Sequence, residues 1–570
     1  MTAERAGAAA LLIGCAALFF WGLGSVPLFD VDEAVFAEAT REMLATGDWI
    51  TPQYNGVDRF DKPILFYWLM ASSFALFGVG EFGARFWSAA FGVGLVALLL
   101  VFAWRRMGPR VGLLSGLVAA TSLEVVVLAH SAITDMVLIF FITAGLLAWF
   151  AAVQASDPRA RVDAALVGSA ALALAVLTKG PIGIVLPGLI LTGFLVLRGG
   201  MREALTNLPW GRMLLVFLLV AAPWYALELQ ARGWAFVEGF LLKHNVRRFT
   251  GVISGHAGPV YYYLPVVAVG LFPWTVFALP AFRWAWPSGW WGLRRPTDRE
   301  ALALFLLVWA GVVFIFFSAA GTKLPNYVAS LYPPLALLVG MWAERFAARA
   351  PGADRWVGGG IIVLVGIALL VAIAFGGLPW WLEWARERFP KAAYLHQPID
   401  VGWGPAALGT TVLVGAAAIA WLARQRRPAA TIGAIAATTV LTVGVLLTAV
   451  APVAASVIQV PLRDMAVRAG LEAGPDGGIA LYGLNKPSVV FYAKRVVTVV
   501  GESRPEELAA LMVQDRKWMV ITKSAWVERL KGVAEVYAIE TRGGYVLASN
   551  RSGSEATPTA VNEAPTNALR

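Results

Sequence analysis

The chain has 570 residues, of which 59% are hydrophobic and only 14% are charged, and it carries a formal net charge of +10. With a mean hydropathy of +0.69, this composition predicts a polytopic membrane protein of the bacterial inner-membrane type. The single cysteine, Cys15, excludes a disulfide framework. The basic residues are distributed among the connections between apolar segments, so the positive charge does not indicate a nucleic-acid-binding protein.

Apolar segments long enough to cross a membrane recur from Leu11 to Val450. The hydrocarbon core offers no water to backbone groups, so segments of roughly 20 apolar residues are expected to be helices rather than barrel strands. The chain shows no cleavable-signal pattern before the first segment, which we expect to be retained as an anchor. About thirteen spans are predicted, at residues 8–28, 84–104, 111–129, 132–153, 163–178, 181–197, 212–229, 262–282, 300–320, 328–347, 357–377, 402–423 and 430–451.

Basic residues cluster in every second connection, which the positive-inside rule assigns to the cytoplasm. This pattern puts the N-terminus inside, and an odd number of spans puts everything after Pro452 in the periplasm. The clusters are Arg105, Arg106 and Arg110; Arg159 and Arg161; Arg198, Arg202 and Arg212; Arg283, Arg294, Arg295 and Arg299; Arg345, Arg349 and Arg355; and Arg424, Arg426 and Arg427.

Two long connections, residues 29–83 and 230–262, are predicted on the periplasmic side. The first opens with the acidic run Phe29-Asp30-Val31-Asp32-Glu33 directly after the first span. Within it, residues 34–45 and 63–77 have helical apolar spacing but are too short to span, so we expect interfacial or re-entrant helices. Such segments are suited to roof a cavity at the membrane surface.

Unusual polar residues fall on this same face, and they fit a reaction on a lipid-carried substrate. Such a reaction needs cations for a lipid phosphate and carboxylates near the reacting carbon. Asp32 and Asp135 are the candidate bases or electrostatic stabilisers. The candidate phosphate ligands are Arg59, Lys62, Lys179, Lys323 and Arg247 or Arg248, and Tyr327 lies in the same face.

Each of these residues also has a purely structural interpretation. Asp32 is placed to be the N-cap of a helix that begins at residue 34. Asp61 and Lys62 are suited to form a simple interfacial ion pair. Lys179 and Lys323 lie in helix-breaking turns, where a lysine often snorkels to the interface. Asp135 is harder to dismiss, because a carboxylate at the lip of a span is functional by default.

The last part of the chain changes from apolar to mixed composition. Residues 1–455 are therefore predicted to form the membrane domain, 456–550 a periplasmic α/β domain and 551–570 a disordered tail. We expect the turn Arg542-Gly543-Gly544 to close a hairpin. The predicted strands are 478–482, 496–500, 518–522, 533–541 and 545–549, and the predicted helices are 506–514 and 525–530.

Several motifs in this order resemble one family over nearly the whole chain. They are Asp30-Val31-Asp32-Glu33, Arg59-Phe60-Asp61-Lys62-Pro63, Thr134-Asp135, Thr178-Lys179-Gly180-Pro181, His256 before Tyr261-Tyr262-Tyr263-Leu264-Pro265, and Lys323-Leu324-Pro325-Asn326-Tyr327. The chain is similar to polyprenyl-phosphate-dependent membrane glycosyltransferases of GT-C type related to protein O-mannosyltransferases, and within them to the aminoarabinose lipid A transferases.

The resemblance implies transfer of 4-amino-4-deoxy-L-arabinose from undecaprenyl phosphate to lipid A phosphates on the periplasmic face, with resistance to polymyxin and other cationic peptides. It implies that Asp32 is the central catalytic carboxylate and that Lys62 holds the donor phosphate. Asp135 and Lys179 would lie nearby, with Lys323 and Tyr327 lining the same cavity. The implied partners are the undecaprenyl-phosphate-linked sugar, lipid A and membrane lipid.

A metal site and two other functions stay open at this point. Asp61 and His256 are possible ligands of a divalent metal such as Zn²⁺, although the family often has Glu where this chain has Asp61, and two ligands without close spacing are a weak signal. The nearest alternative function is transfer of a polyprenyl-linked sugar to a protein hydroxyl. A lipid-sugar flippase is a further alternative, but its usual internal repeat is not evident.

Overall fold

A computed structural model of the protein describes residues 3–247, 251, 257–287, 297–353, 357–389, 399–533 and 535–552, without the side chains of 244–247 and 533. The chain divides into two compact units. The first comprises Met1–Trp381 and Asp400–Ala454, and the second comprises Leu382–Ile399 and Ala455–Arg570. The proposed tail at 551–570 falls outside the described residues from 553 onward.

The described residues of the first unit form helices joined by connections, and their strands form one short hairpin, Gln53–Tyr54 with Val57–Asp58. Its α-helices are Ala3–Phe20, Asp32–Thr46, Leu65–Phe77, Glu81–Met107, Pro109–Ala120, Leu123–Ala129, Asp135–Gln154, Pro158–Lys179, Ile182–Arg198, Met201–Asn207, Trp210–Arg232, Trp234–Phe236, Tyr263–Gly270, Thr275–Ala285, Asp298–Ala319, Tyr332–Ala347, Val357–Gly376, Gly404–Arg424 and Pro428–Val445. Val260–Tyr262 and Pro325–Leu331 are 3₁₀ turns, and Val237–Arg247 and Leu446–Val450 are π-helical. Leu378–Arg388 and Ala451–Ile458 are the helices at the boundaries between the two units.

Nine helices in the described part of the chain are long and apolar enough to cross a membrane, or eleven if two bent pairs each count as one span. The bends are 64° between Pro109–Ala120 and Leu123–Ala129, and 110° between Val260–Gly270 and Thr275–Ala285. Each of the thirteen predicted segments overlaps a helix or a bent pair, although the first, predicted at 8–28, is the helix Ala3–Phe20. Two of these helices, Ile182–Arg198 with 17 residues and Tyr332–Ala347 with 16, are short. The multi-pass helical class is thus confirmed, whereas the count of thirteen stays a prediction.

Small residues let the helices of this bundle pack closely. A Cβ on Gly145 would lie 2.4 Å from Leu172, and one on Gly168 would lie 2.3 Å from Trp149, so helices Asp135–Gln154 and Pro158–Lys179 meet at these glycines. A Cβ on Gly340 would lie 2.7 Å from the Cα of Ser115. Apolar side chains gain little by leaving lipid for another helix, so close backbone approach is what holds membrane helices together.

The connection at residues 29–83 contains the two expected short helices, Asp32–Thr46 and Leu65–Phe77. The first is more enclosed than a helix lying on a surface, because every residue from 33 to 40 is buried. The connection is tied to helix Trp210–Arg232, where Trp224 donates to the carbonyl of Ile50 and Thr51 donates to Glu228. These contacts anchor the segment that follows the end of helix Asp32–Thr46.

The second unit contains a five-stranded sheet in the order Thr498–Val500, Gly478–Tyr482, Trp518–Lys523, Tyr545–Ser549 and Tyr537–Arg542. The first three strands pair with one another in parallel. The fourth strand, Tyr545–Ser549, is antiparallel to both of its neighbours, Trp518–Lys523 and Tyr537–Arg542. All five predicted strands are therefore present. The predicted hairpin turn is confirmed, since Gly543 and Gly544 both have positive φ, at 62° and 80°, as a type I′ turn requires. Helices Pro505–Met512 and Val527–Val533 match the two predicted ones, whereas Val460–Glu472 and Pro487–Ala493 were not predicted.

Candidate functional site

One cavity of about 420 Å³ in the helical unit gathers seven of the ten predicted site residues. They come from four parts of the chain: the connection at 29–83, the start of helix Asp135–Gln154, the end of helix Pro158–Lys179 and the 3₁₀ turn Pro325–Leu331. The seven residues are Asp32, Arg59, Asp61, Lys62, Asp135, Lys179 and Tyr327. The side chain of Arg247, with Arg248 and His256, lies outside the described residues.

The same cavity has a large apolar wall. Its aliphatic and aromatic side chains come from helices Asp135–Gln154, Ile182–Arg198 and Asp298–Ala319, and they include Ile139, Ile142, Ile182, Val185, Leu186 and Phe317. Three carboxylates and three cations line the rest. A space with both characters is suited to a ligand that has an anionic group and a hydrocarbon portion.

Asp32 is the first residue of its helix rather than the N-cap. The N-cap is Val31, whose side chain makes no capping bond. Asp32 is exposed, and no donor of the described residues reaches its carboxylate within hydrogen-bonding distance. The partial positive charge at the helix N-terminus lies next to this side chain. The N-cap interpretation of Asp32 therefore does not apply, and its oxygens are available to a ligand.

Asp135 and Lys179 form an ion pair across the cavity wall. Lys179 Nζ donates to Asp135 Oδ1 at 2.7 Å, and the two side chains are 15% and 5% exposed. The ammonium also lies 5.6 Å from the centroid of the Tyr327 ring. Lys179 ends its helix immediately before Gly180, which has a φ of +82°. The lysine thus points to a carboxylate in the cavity rather than snorkelling along a helix surface.

Arg59 organises the neighbouring part of the cavity. Its Nη2 lies 2.7 Å from Asp61 Oδ2, and its Nε donates to the hydroxyl of Tyr67 at 3.3 Å. Burial opposes the charged form of Arg59, but Tyr67 and Asp61 outweigh it and raise the pKa of the guanidinium. Lys62 Nζ donates to the backbone carbonyl of Asp61 at 3.0 Å. The carboxylate of Asp61 therefore forms an ion pair with Arg59, whereas the sequence indicated a pair with the adjacent lysine.

Lys323 does not line the described cavity, in contrast to its prediction. Its side chain turns back to the end of helix Asp298–Ala319, where Nζ donates to the carbonyls of Phe317, Ser318 and Ala320 at 3.5, 2.8 and 2.9 Å. The residue is 5% exposed. A helix leaves its last carbonyls without intrahelical partners, and a cation is the favoured group there. Lys323 thus caps a helix in this structure.

The described residues do not form a metal site around Asp61. The guanidinium of Arg59 lies 2.7 Å from one carboxylate oxygen of Asp61. In the part of the chain that the structure describes, no group of three or more His, Cys, Asp or Glu side chains is arranged to hold a metal ion. His256 lies outside the described residues. A metal site formed by Asp61 and His256 therefore stays a prediction.

The sequence analysis did not predict a buried ion pair that lies next to the cavity. Arg85 Nη2 lies 2.7 Å from Glu33 Oε2, and its Nε donates to Glu33 Oε1 at 2.8 Å. The other carboxylate contacts are the backbone N–H groups of Phe29 and Ala132. The available signal was Arg85 itself, an ionisable residue inside a predicted span, which indicates a specific partner. Glu33 thus joins the loop that carries Asp32 to the segment that leads into Asp135.

Comparisons with known proteins identify relatives. Residues 61–226 match the family described as dolichyl-phosphate-mannose-protein mannosyltransferase. A protein of Edwardsiella ictaluri named undecaprenyl phosphate-alpha-4-amino-4-deoxy-L-arabinose arabinosyl transferase is 30% identical over 355 residues, 62% of this chain and 62% of that protein. The matched part is thus less than two thirds of that relative. A protein of the same name from Pseudomonas aeruginosa is 31% identical over 423 residues, 73% of this chain and 71% of that protein.

A solved structure has the same fold. The crystal structure of ArnT from Cupriavidus metallidurans bound to undecaprenyl phosphate has a TM-score of 0.76 to this protein at 23% sequence identity, and the match covers 96% of this chain and 98% of that one. This likeness confirms the predicted fold class, including the helical membrane part and the C-terminal sheet. With the extent of the Pseudomonas alignment, the chain belongs to the family of undecaprenyl phosphate-alpha-4-amino-4-deoxy-L-arabinose arabinosyl transferases.

Proposed function

We propose that this protein transfers 4-amino-4-deoxy-L-arabinose from undecaprenyl phosphate to a phosphate group of lipid A. The observation that supports the proposal is the cavity in which Asp32, Lys62 and the Asp135–Lys179 ion pair lie beside an apolar wall. In the family to which the chain belongs, that combination matches a donor with a phosphate and a polyprenyl chain. The phosphate would lie among the cations and the first isoprene units against the aliphatic side chains.

The proposed reaction exchanges one glycosyl–oxygen bond for another. A phosphate oxygen of lipid A attacks C1 of the sugar, the bond from C1 to the donor phosphate oxygen breaks, and undecaprenyl phosphate leaves with the bonding electrons. The acceptor is already an anion near neutral pH, so Asp32 need not remove a proton. Its role would be to orient the acceptor or to stabilise positive charge that develops on the sugar ring.

The cations would stabilise the leaving phosphate, which gains negative charge as the bond breaks. An ammonium has three N–H donors, and Lys179 gives one to Asp135 among the described residues, so two remain for phosphate oxygens. Lys62 supplies a second ammonium in the same cavity. Ionic stabilisation of this kind is stronger where protein walls exclude water.

The proposal includes an orientation in the membrane. The arginine clusters in alternate connections put the N-terminus in the cytoplasm and the cavity and C-terminal unit on the periplasmic side of the bacterial inner membrane. Lipid A modified there would carry an added amine. Because the amine reduces the net negative charge, attraction of polymyxin and other cationic peptides would fall.

A second candidate is transfer of a polyprenyl-linked sugar to a protein hydroxyl, favoured by the match of residues 61–226 to mannosyltransferases. Such an acceptor has to lose a proton, so Asp32 would then act as a base.

An assay with purified protein in vesicles distinguishes these functions. The vesicles are supplied with undecaprenyl phosphate-aminoarabinose and either lipid A or a Ser/Thr-rich peptide, and the products are identified by mass spectrometry. Sugar on lipid A supports the proposal. Sugar on the peptide alone supports the second candidate, and translocated but intact donor supports a flippase.

A further inference from the structure

A second cavity of about 920 Å³ lies in the helical unit, away from the proposed active site. It is bounded by the end of helix Tyr332–Ala347, the start of Val357–Gly376, the end of Gly404–Arg424 and the start of Pro428–Val445. Helix Tyr332–Ala347 has 16 residues and is therefore about 24 Å long. The residues that precede it line the first cavity and its last turn lines the second, so the two cavities lie at opposite ends of this helix.

Four arginines line the second cavity, and no acidic residue does. They are Arg349, Arg424, Arg426 and Arg427, all of them exposed. In the described part of the chain, no carboxylate lies within ion-pair distance of their guanidinium groups. Clustered like charges repel one another, and a bound anion relieves that repulsion.

The arginines come from two connections that the structure holds together. Arg349 Nη2 donates to the backbone carbonyl of Arg426 at 2.9 Å. Both residues have positive φ, at 54° and 52°, so the two connections turn sharply at the rim of the cavity. The basic composition of both connections predicts that they are cytoplasmic. The rim is thus a preformed cluster of cations at the cytoplasmic membrane surface.

Below this rim the cavity is apolar. Val357, Ile361 and Val365 recur every four residues on helix Val357–Gly376 and line one wall. From the first to the third of them the wall extends about 12 Å along the helix. Ile362 lies beside them and is 73% exposed. A free inorganic anion would make no favourable contact with such an apolar wall, whereas an acyl chain attached to an anionic headgroup fits along it.

We propose that this cavity binds an anionic phospholipid of the cytoplasmic leaflet, with its phosphate among the four arginines and an acyl chain against Val357, Ile361 and Val365. Basic pockets between membrane helices on the cytoplasmic side are suited to such headgroups. The inference rests on charge and shape at the second cavity and not on the proposed transferase activity.

Native mass spectrometry of the delipidated full-length protein tests the proposal. We expect phosphatidylglycerol to be retained in preference to phosphatidylcholine, and inorganic phosphate not to displace it. The variant Arg424→Gln/Arg427→Gln should retain roughly tenfold less phosphatidylglycerol. Its matched control is Arg105→Gln/Arg110→Gln, which removes the same charge from two exposed arginines of another basic connection and should behave as wild type.

A second variant fills the cavity without changing its charge. Gly358 lines the cavity, and a Cβ at this position meets no atom within 4 Å. The side chain of Gly358→Phe therefore begins in open space at the cavity and should also reduce lipid retention. This variant tests the proposal even if loss of the arginines impairs folding. Equal retention by wild type and both cavity variants would overturn the proposal. So would equal binding of the two phospholipids, or complete displacement by inorganic phosphate, which would indicate a site for free anions.

Discussion

Arg85 and Glu33 form a buried bidentate ion pair, with Nη2–Oε2 and Nε–Oε1 distances of 2.7 and 2.8 Å. Arg85 also donates to the carbonyls of Leu23, Val26 and Pro27, in the connection that follows helix Ala3–Phe20. Glu33 accepts from the N–H of Ala132, three residues before Asp135. The pair therefore holds the two segments that carry Asp32 and Asp135 of the proposed active-site cavity, although neither partner lines that cavity.

Arg85→Met should destabilise the protein and reduce transfer. The substitution leaves the Glu33 carboxylate buried without its partner, which costs about 3–5 kcal/mol of unfolding free energy. Thermal unfolding in detergent measures the loss. Arg504→Gln breaks an exposed pair with Glu507, in which the side chains are 54% and 45% exposed, and should cost less than about 1 kcal/mol. Equal losses for the two variants would refute the role given to the buried pair.

The contributions of Glu33 and Glu38 to the stability of the folded protein should depend on pH in opposite directions. Burial opposes the ionised form of Glu33, but Arg85 and backbone N–H groups outweigh it and lower its pKa below the usual 4.5. Its contribution is thus present above about pH 4.5 and is lost as the pH falls through the lowered pKa. Burial raises the pKa of Glu38 to about 7 despite its pairing with Arg41, so its contribution is greatest below 4.5 and is lost by about pH 7.

Unfolding temperatures of wild type, Glu33→Gln and Glu38→Gln, measured from well below pH 4.5 up to pH 8, separate these two contributions. Glu33→Gln should flatten the loss of stability on the acid side. Glu38→Gln should flatten the loss between about pH 4.5 and 7. Unchanged pH profiles in both variants would show that neither carboxyl titrates as assigned.

Lys179→Met should impair transfer while the protein stays folded. The variant removes an ammonium that we assign to the donor phosphate, and loss of one such donor typically lowers kcat by roughly 10²-fold. It also leaves Asp135 without its partner, so Asp135→Asn/Lys179→Met removes both charges and serves as a second variant. Initial rates with the purified protein at several donor concentrations provide kcat and KM. Wild-type kcat/KM in both variants would exclude Lys179 from donor binding.

Lys323→Met should lower the stability of the protein and leave donor binding unchanged, in contrast to Lys179→Met. The ammonium of Lys323 donates to three helix-terminal carbonyls, and leaving buried carbonyls unpaired costs about 1–3 kcal/mol. A lower unfolding temperature with an unchanged KM for the donor is the expected result. A raised KM without loss of stability would return Lys323 to the cavity, as the sequence motif predicts.

The sequence was sufficient for the helical class, for the five strands of the C-terminal sheet and for most of the cavity. Apolar length and alternating patterns carry that information locally. It was not sufficient to separate Lys179 from Lys323, since both lie in similar Gly- and Pro-containing turns. Which ammonium turns into the cavity depends on the partner that the fold supplies, Asp135 for one lysine and the helix carbonyls for the other.

The bends and the buried pair also depend on tertiary structure. The 110° break between Val260–Gly270 and Thr275–Ala285 falls within one continuous apolar segment, so hydropathy alone predicts a single straight span. Glu33 and Arg85 are 52 residues apart, and no local pattern relates them. Only the folded contacts distinguish Glu33 as a structural carboxylate from its neighbour Asp32, which lines the cavity.

Mass spectrometry of lipid A from a transferase-deficient bacterium tests the central claim most directly, with the chain supplied as wild type or as Asp32→Asn. Asn has nearly the shape of Asp but no charge, so the variant should fold and lack the proposed stabilising group. We predict the mass increment of aminoarabinose on lipid A with the wild type and its loss with Asp32→Asn. An undiminished increment with the variant, or none with the wild type when expression and donor are confirmed, would contradict the account.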